Sequence, residues 1–332
     1  MIRLHKNIKI LFNYILGPLL GGWLFYSLYK QVRDQPNLQD SIELIKQAPF
    51  GEYAFKFWSV IMLVFANWGI EAGKWQLVVS NLQRISYFTA FKSVLSGLTI
   101  SLNTPNRMGE YGGRILYINE GNRIKAISLS IAGSMSQLIV TLLMGCGGLV
   151  FIIFTRQYSA EPVMGLSFFW IKILLFLSAV TATFLLVIYF RLSWLTKVVE
   201  KIPSVVKYAH YISVLEDFHA KVLLRLLFLS FMRFMVFVIQ YILLLQVLKV
   251  EISFIEGFWI ISVLFLVLAI VPSFAIADLG IRGKFSTELL ALYSANTIGI
   301  IGTTFGIWFI NLFIPALAGS ILILSIRIFK EK

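Results

Sequence analysis

Apolar runs of about twenty residues recur along the whole chain, and a run of that length spans the hydrocarbon core of a bilayer as one helix. The clearest are residues 8–29, 55–79, 126–154, 164–190, 222–248 and 303–327. A soluble core has no use for so many. Charged residues make up 14% of the 332 positions, where soluble domains carry about a quarter. The sequence therefore predicts an all-α polytopic membrane protein with about six full spans and excludes a soluble enzyme. Residues 8–29 are too long for a signal-peptide core and lack a small-residue cleavage site, so they are expected to stay as the first span. One transmembrane domain over 1–332 is expected, with no room left in this length for an appended catalytic domain.

Two further apolar runs, 87–103 and 253–271, are short for a crossing, and each stops at a proline followed by a polar, glycine-bearing stretch. Backbone that leaves the helix at membrane depth finds no partner in lipid and must be enclosed by protein or line a wet cavity. Both runs are therefore expected to open re-entrant helical hairpins, over 87–125 and 253–295. The chain carries 29 Lys and Arg against 16 Asp and Glu, and 19 of those bases fall in 1–9, 71–125, 191–225 and 327–332. The positive-inside bias assigns these segments, and both termini, to the cytoplasm. In that orientation the first hairpin enters from the cytoplasm and the second from outside. The chain then reads as two inverted halves, 1–190 and 222–332, joined by a basic, interfacial linker over 191–221 that either contacts anionic lipid or simply connects. Pro105, Glu110 and Arg114 recur as Pro272, Asp278 and Arg282 at similar spacing. Inverted repeats with broken helices near the midplane are a transporter architecture; two unrelated hairpins are the plainer alternative.

The candidate site residues follow from the cost of charge in a membrane. Arg107, Glu110 and Arg114 lie in the glycine-rich stretch after Pro105, where charges are expensive unless paired or used on a polar ligand. Glu110 and Arg114 are four apart and would face one another on a restarting helix; an ion pair in a surface loop is the alternative. Arg233 sits deep in the span 222–248, eight residues from Arg225, at a cost of at least about 2.5 kcal/mol if it faced lipid. It is expected either to pair with Asp278 or Glu71, or to bind phosphate through its planar fork. Glu71, one turn from Asn67, can neutralise Lys74 or an arginine of the site. Ser130, Ser134, Gln137 and Thr141 form one polar stripe, read equally as interhelical hydrogen bonds or as a cavity wall. The spacings Gly17/Gly21 and Gly302/Gly306 read as helix packing.

The pattern Pro-x-x-x-Gly-Glu-x-x-x-Arg at 105–114, with Trp75 and Tyr87-Phe88-Thr89-Ala90-Phe91 before it and Ala126-Ile127-Ser128-Leu129-Ser130 after it, resembles the lysylphosphatidylglycerol synthase transmembrane-region family. The stretch 271–283 is similar to that family's later Pro…Gly-Gly-Leu-Gly-Val-x-Glu signature. Two positions depart: Asp278 stands where the family usually has glycine, and Gly283 where it usually has glutamate. The resemblance covers nearly the whole chain. It implies a flippase-like membrane domain in the cytoplasmic membrane of a prokaryote.

Several activities lack their residues. Gly280-Ile281-Arg282-Gly283-Lys284-Phe285 has neither the spacing nor the Ser/Thr of a nucleotide-binding P-loop. His5, His210 and His219 are scattered, Cys146 is single, and no pair has metal-ligand spacing. No cofactor, metal or nucleic-acid partner is expected. The expectation is a flippase or transporter of an anionic or zwitterionic phosphate-bearing lipid, with Arg114 and Arg282 on the anion, Arg233 lining its path, and Glu110, Asp278 and Glu71 holding the arginines. An accessory subunit or enzyme of envelope-lipid or lipid-linked glycan assembly is the rival, and an ion-coupled carrier for a soluble anion the third reading. A homodimer or an envelope-biosynthesis partner fits either of the first two.

Overall fold

The computed structural model describes residues 43, 46–102, 104, 108–156, 165–194, 197, 201, 209–271 and 275–324. Every element among them is helical. In chain order the main helices are α1 (Ala54–Val79), α2 (Tyr87–Ser101), the short α3 (Gly109–Arg114), α4 (Arg123–Arg156) and α5 (Phe168–Tyr189). Then follow α6 (Ala220–Val247), α7 (Phe254–Ile270), α8 (Ala275–Leu290), α9 (Thr297–Trp308) and α10 (Ile314–Leu324). The expected first span 8–29, Gly17/Gly21, Pro105, Arg107 and Pro272 lie outside the described residues.

Four stretches are long and apolar enough to cross a membrane: Glu120–Thr155, Phe168–Tyr189, Ala220–Val247 and Thr297–Ile323. They match four of the six expected spans, and the chain is a multi-pass membrane protein. The expected span 55–79 is a continuous helix, but α1 differs from the four in composition. Asn67, Glu71 and Lys74 are all buried in its second half, which makes it a charged helix enclosed by others. The segment 71–125, read from sequence as a cytoplasmic loop region, accordingly starts inside α1. Its bases Lys74 and Arg114 are buried in the protein.

Helix starts follow their local chemistry. Ser86 accepts from the Thr89 amide at 3.1 Å ahead of α2. Ser253 and Glu256 form a reciprocal capping box ahead of α7. Asn296 accepts from the Gly299 amide at 2.8 Å ahead of α9. Between α9 and α10 the helix widens into a π-turn over Phe309–Phe313 rather than breaking at Pro315.

Close backbone approach, not apolar burial alone, sets the packing, as expected where lipid is as apolar as leucine. The α2–α3 pair is a true hairpin. Ser93 Oγ donates to the Arg114 carbonyl at 2.7 Å, and a Cβ on Gly113 would lie 2.5 Å from Gly97 Cα. Helix α7 packs on α4, where a Cβ on Gly148 would come 2.5 Å from the Trp259 carbonyl. In the same manner α2 packs on α10, with Thr99 Oγ1 donating to the Ala316 carbonyl at 2.7 Å. Gly306 abuts Leu244 of α6, which accounts for part of the Gly302/Gly306 spacing. Helices α1 and α6 lie against each other and bring their polar faces into the interior.

Candidate functional site

The centre of the molecule is a cluster of charges around Glu71. On α1 the carboxylate is buried, with its side chain 7% exposed. One oxygen accepts from Arg114 Nη2 of α3 at 2.6 Å. The other lies 3.0 Å from Arg233 Nη1 of α6 and 3.5 Å from Lys74 Nζ, one turn along α1. Arg114 Nη2 also donates to Glu110 Oε1, in a close i,i+4 pair on α3. Three helices are thus tied through one carboxylate. The ends of the hairpin position this chemistry: α3 restarts the chain at Gly109 and turns Arg114 back towards α1, while Gly97 and Gly113 let the two arms touch.

Aromatic faces supply the rest of the enclosure. Arg114 lies 5.5 Å from the centre of the Trp75 ring, and Arg233 sits 5.2 Å from Trp68 and 5.4 Å from Phe237. Such stacking favours a desolvated guanidinium without neutralising it. Two carboxylates, Glu71 and Glu110, face three cations, Lys74, Arg114 and Arg233, so the cluster carries one surplus positive charge when all are ionised. Arg114 Nε is buried and has no hydrogen-bond partner among the described residues.

Two cavities meet at this cluster. One, about 310 Å³, is lined by Glu71, Lys74, Glu110, Arg114 and Ser134 among others; the second, about 260 Å³, is lined by Trp68, Phe265, Arg282, Trp308 and Asn311 among others. Gln137, Thr141, Arg233 and Ala269 line both. Ala269 belongs to the last turn of α7, so the end of α7 borders the same interior space as Glu110 and Arg114 of α3. On α8 Arg282 donates to Asp278 at 2.9 Å, and Asp278 is buried.

The sequence-derived candidates divide cleanly. Glu71, Glu110, Arg114 and Arg233 converge, with Glu71 rather than Asp278 as the partner of Arg233. Arg282 and Asp278 pair with each other along α8, with Arg282 at the adjoining cavity. Arg107 lies outside the described residues. From the polar stripe, Ser134, Gln137 and Thr141 line the cavities, whereas Ser130 donates to the Ala126 carbonyl at 2.9 Å inside α4 and does not. Gly283 acts through its carbonyl, accepting from Ser286 and Thr287 within α8.

The sequence reading missed an amide chain that fastens the cluster to the second half. Arg233 Nε donates to Asn67 Oδ1 at 2.8 Å, Asn67 Nδ2 to Asn311 Oδ1 at 2.9 Å, Asn311 Nδ2 to Gln240 Oε1 at 2.9 Å, and Gln240 Nε2 to the Val60 carbonyl at 2.8 Å. Asn311 sits in the π-turn, which swings its side chain inward from an otherwise apolar helix. Amides inside the apolar runs, Gln240 and Gln246 in 222–248 and Asn311 alone in 303–327, were the available signal.

Comparison with curated proteins gives no match. The transmembrane region of lysylphosphatidylglycerol synthases matches the chain over residues 14–319, nearly its whole length. The chain therefore belongs to the lysylphosphatidylglycerol synthase transmembrane-region family.

Proposed function

We propose that the chain moves a phosphate-bearing lipid headgroup between the leaflets of the membrane, through the joined cavities between the two hairpins. The observation that carries this reading is the surplus positive charge buried beside them. An uncompensated charge away from water is costly, and an anion entering the cavity offsets it. Arg114, with a free Nε–H, and Arg233, which borders both cavities, are placed to receive phosphate oxygens. Arg282 takes the same role from the second hairpin. Gln137 and Thr141 supply neutral hydrogen bonds along the wall, in exchange for the headgroup's water.

The inverted arrangement of 1–190 and 222–332 belongs to the same reading. It is supported by a pairing of contacts: α2 packs on the last helix of the second half, and α7 packs on the last long helices' counterpart in the first, α4. Helices of 15 and 17 residues are short for a crossing and fit hairpins that return to the side they came from. After replacing Cys146 with serine, single cysteines at Asn81 and Gly121 are expected to react with an impermeant thiol reagent from the cytoplasmic face. Cysteines at Glu251 and Ala295 are expected to react from the opposite face. Labelling of Asn81→Cys and Gly121→Cys from different faces would mean that the first hairpin crosses the bilayer.

Transport is tested with purified protein in liposomes and leaflet-selective quenching of labelled phosphatidylglycerol and undecaprenyl-phosphate analogues. Acceleration over empty liposomes is expected without ATP, with or without a proton or sodium gradient. Arg114→Gln is expected to slow it at least tenfold, whereas Lys197→Gln, at an exposed position far along the chain from the cluster, leaves the rate unchanged. No acceleration of either lipid under any gradient would refute the transport reading and favour an accessory role in envelope-lipid assembly.

A further inference from the structure

A third cavity lies apart from the charged cluster, where the end of α1 meets the first turns of α6. It is about 640 Å³ and is lined by Gln76, Ser80 and Arg84 on one side and by Arg225, Phe228 and Leu229 on the other. Gln76 Nε2 donates to the Ile85 carbonyl at 3.0 Å, which folds the turn after α1 back and keeps Arg84 at the rim. Both arginines are exposed, and neither makes an ion pair or hydrogen bond among the described residues. Ser80 caps α1 and Arg225 is in the second turn of α6, so the groove sits at helix ends, where a span meets the headgroup layer. Its outer lip is apolar: Phe228 is 60% exposed and Leu224, one turn earlier on α6, is 55% exposed.

Two unpaired guanidiniums beside an apolar lip match one kind of ligand, an anion with hydrocarbon attached. We propose that this groove docks the phosphate of an anionic membrane lipid, with Arg84 and Arg225 on the phosphate and the acyl chains along Leu224 and Phe228. The α1 helix end contributes little attraction, because its terminal carbonyls are the negative pole. Arg225, Leu229 and Arg233 follow one another at four-residue steps on α6, and Arg233 is about 12 Å further in by the helical rise. The groove is thus a loading position one basic step outside the inner cavities. Its role in loading rests on the transport reading; its occupancy by lipid does not.

A photoreactive benzoylphenylalanine replacing Phe228, in liposomes containing phosphatidylglycerol and phosphatidylcholine, tests the assignment. The same group replacing Phe176, an exposed position on α5, serves as the lipid-facing reference. Adducts at position 228 should be enriched in phosphatidylglycerol over those at 176. Enrichment should fall about fivefold for each of Arg84→Gln and Arg225→Gln, the loss expected for one basic contact near an anionic surface. Equal adduct composition at both positions, unchanged by the two substitutions, would overturn the proposal. Suppression of the adduct by soluble glycerol phosphate present during irradiation would overturn it as well, in favour of a free anion. Repeating the reaction in Arg233→Gln protein separates the two readings: selective adducts without transport support the groove alone, and transport without selective adducts refutes the groove alone.

Discussion

Glu71→Gln is expected to be the most damaging single substitution in this protein. It keeps the shape of the side chain and removes the charge on which Arg114, Arg233 and Lys74 converge at 2.6, 3.0 and 3.5 Å. Breaking a buried pair from one side costs about 3–5 kcal/mol because the partner is left uncompensated. Here three partners share the loss, with Glu110 remaining for Arg114 only. Against a total stability of about 5–15 kcal/mol this is a large fraction. The variant should show a markedly lower unfolding temperature in lipid nanodiscs and a low yield of monodisperse protein. Adding Arg233→Gln should recover part of the loss, since neighbouring charges do not contribute additively. Anionic lipid should also raise the variant's stability more than the wild type's, because a bound anion then stands in for the carboxylate. Unchanged thermal unfolding of Glu71→Gln would mean that the cluster does not hold α1, α3 and α6 together.

The second large effect is expected at Gly113, and its neighbour supplies the control. A methyl group on Gly113 would meet the Ser96 carbonyl oxygen and lie 2.5 Å from Gly97 Cα and 2.6 Å from Gly97 N. All of these are backbone atoms, which cannot rotate away as a side chain would. Gly113→Ala must therefore part α2 from α3, at about 1–3 kcal/mol or more, and displace Arg114 from Glu71. Gly112, one residue earlier on the same short helix, has nothing within 4 Å of the added methyl. Gly112→Ala should be neutral or stabilising by up to about 1 kcal/mol from helix propensity. Thermal unfolding and lipid movement measured on both variants give the comparison. Equal behaviour of the two would mean that the hairpin is not closed at Gly97 and Gly113.

Much of the site was legible because its pairs are local. Glu110 and Arg114, and likewise Asp278 and Arg282, are four apart, a spacing that places side chains together on any helix. The breaks after 101 and 270 were legible from the proline and glycine that follow each apolar run. The Glu71–Lys74 pair, one turn apart on α1, was legible in the same way; that Lys74 is buried, although it was counted with the cytoplasmic bases, was not, because nothing local distinguishes an exposed lysine from one folded under a neighbouring helix.

By itself the sequence determined that this is a helical membrane protein, where two of its apolar helices break, and which charges are too costly to face lipid. Those properties depend on run length, capping residues and backbone chemistry within a few positions. Only the tertiary structure decided which charges on different helices meet. Glu71 and Arg114 are 43 positions apart, Asn67 and Arg233 166, and Asn67 and Asn311 244. Asp278 and Glu71 were equal partners for Arg233 until α6 packed on α1. A buried charge requires a partner, but the sequence does not say which helix supplies it, since that depends on glycine contacts and polar faces far apart in the chain.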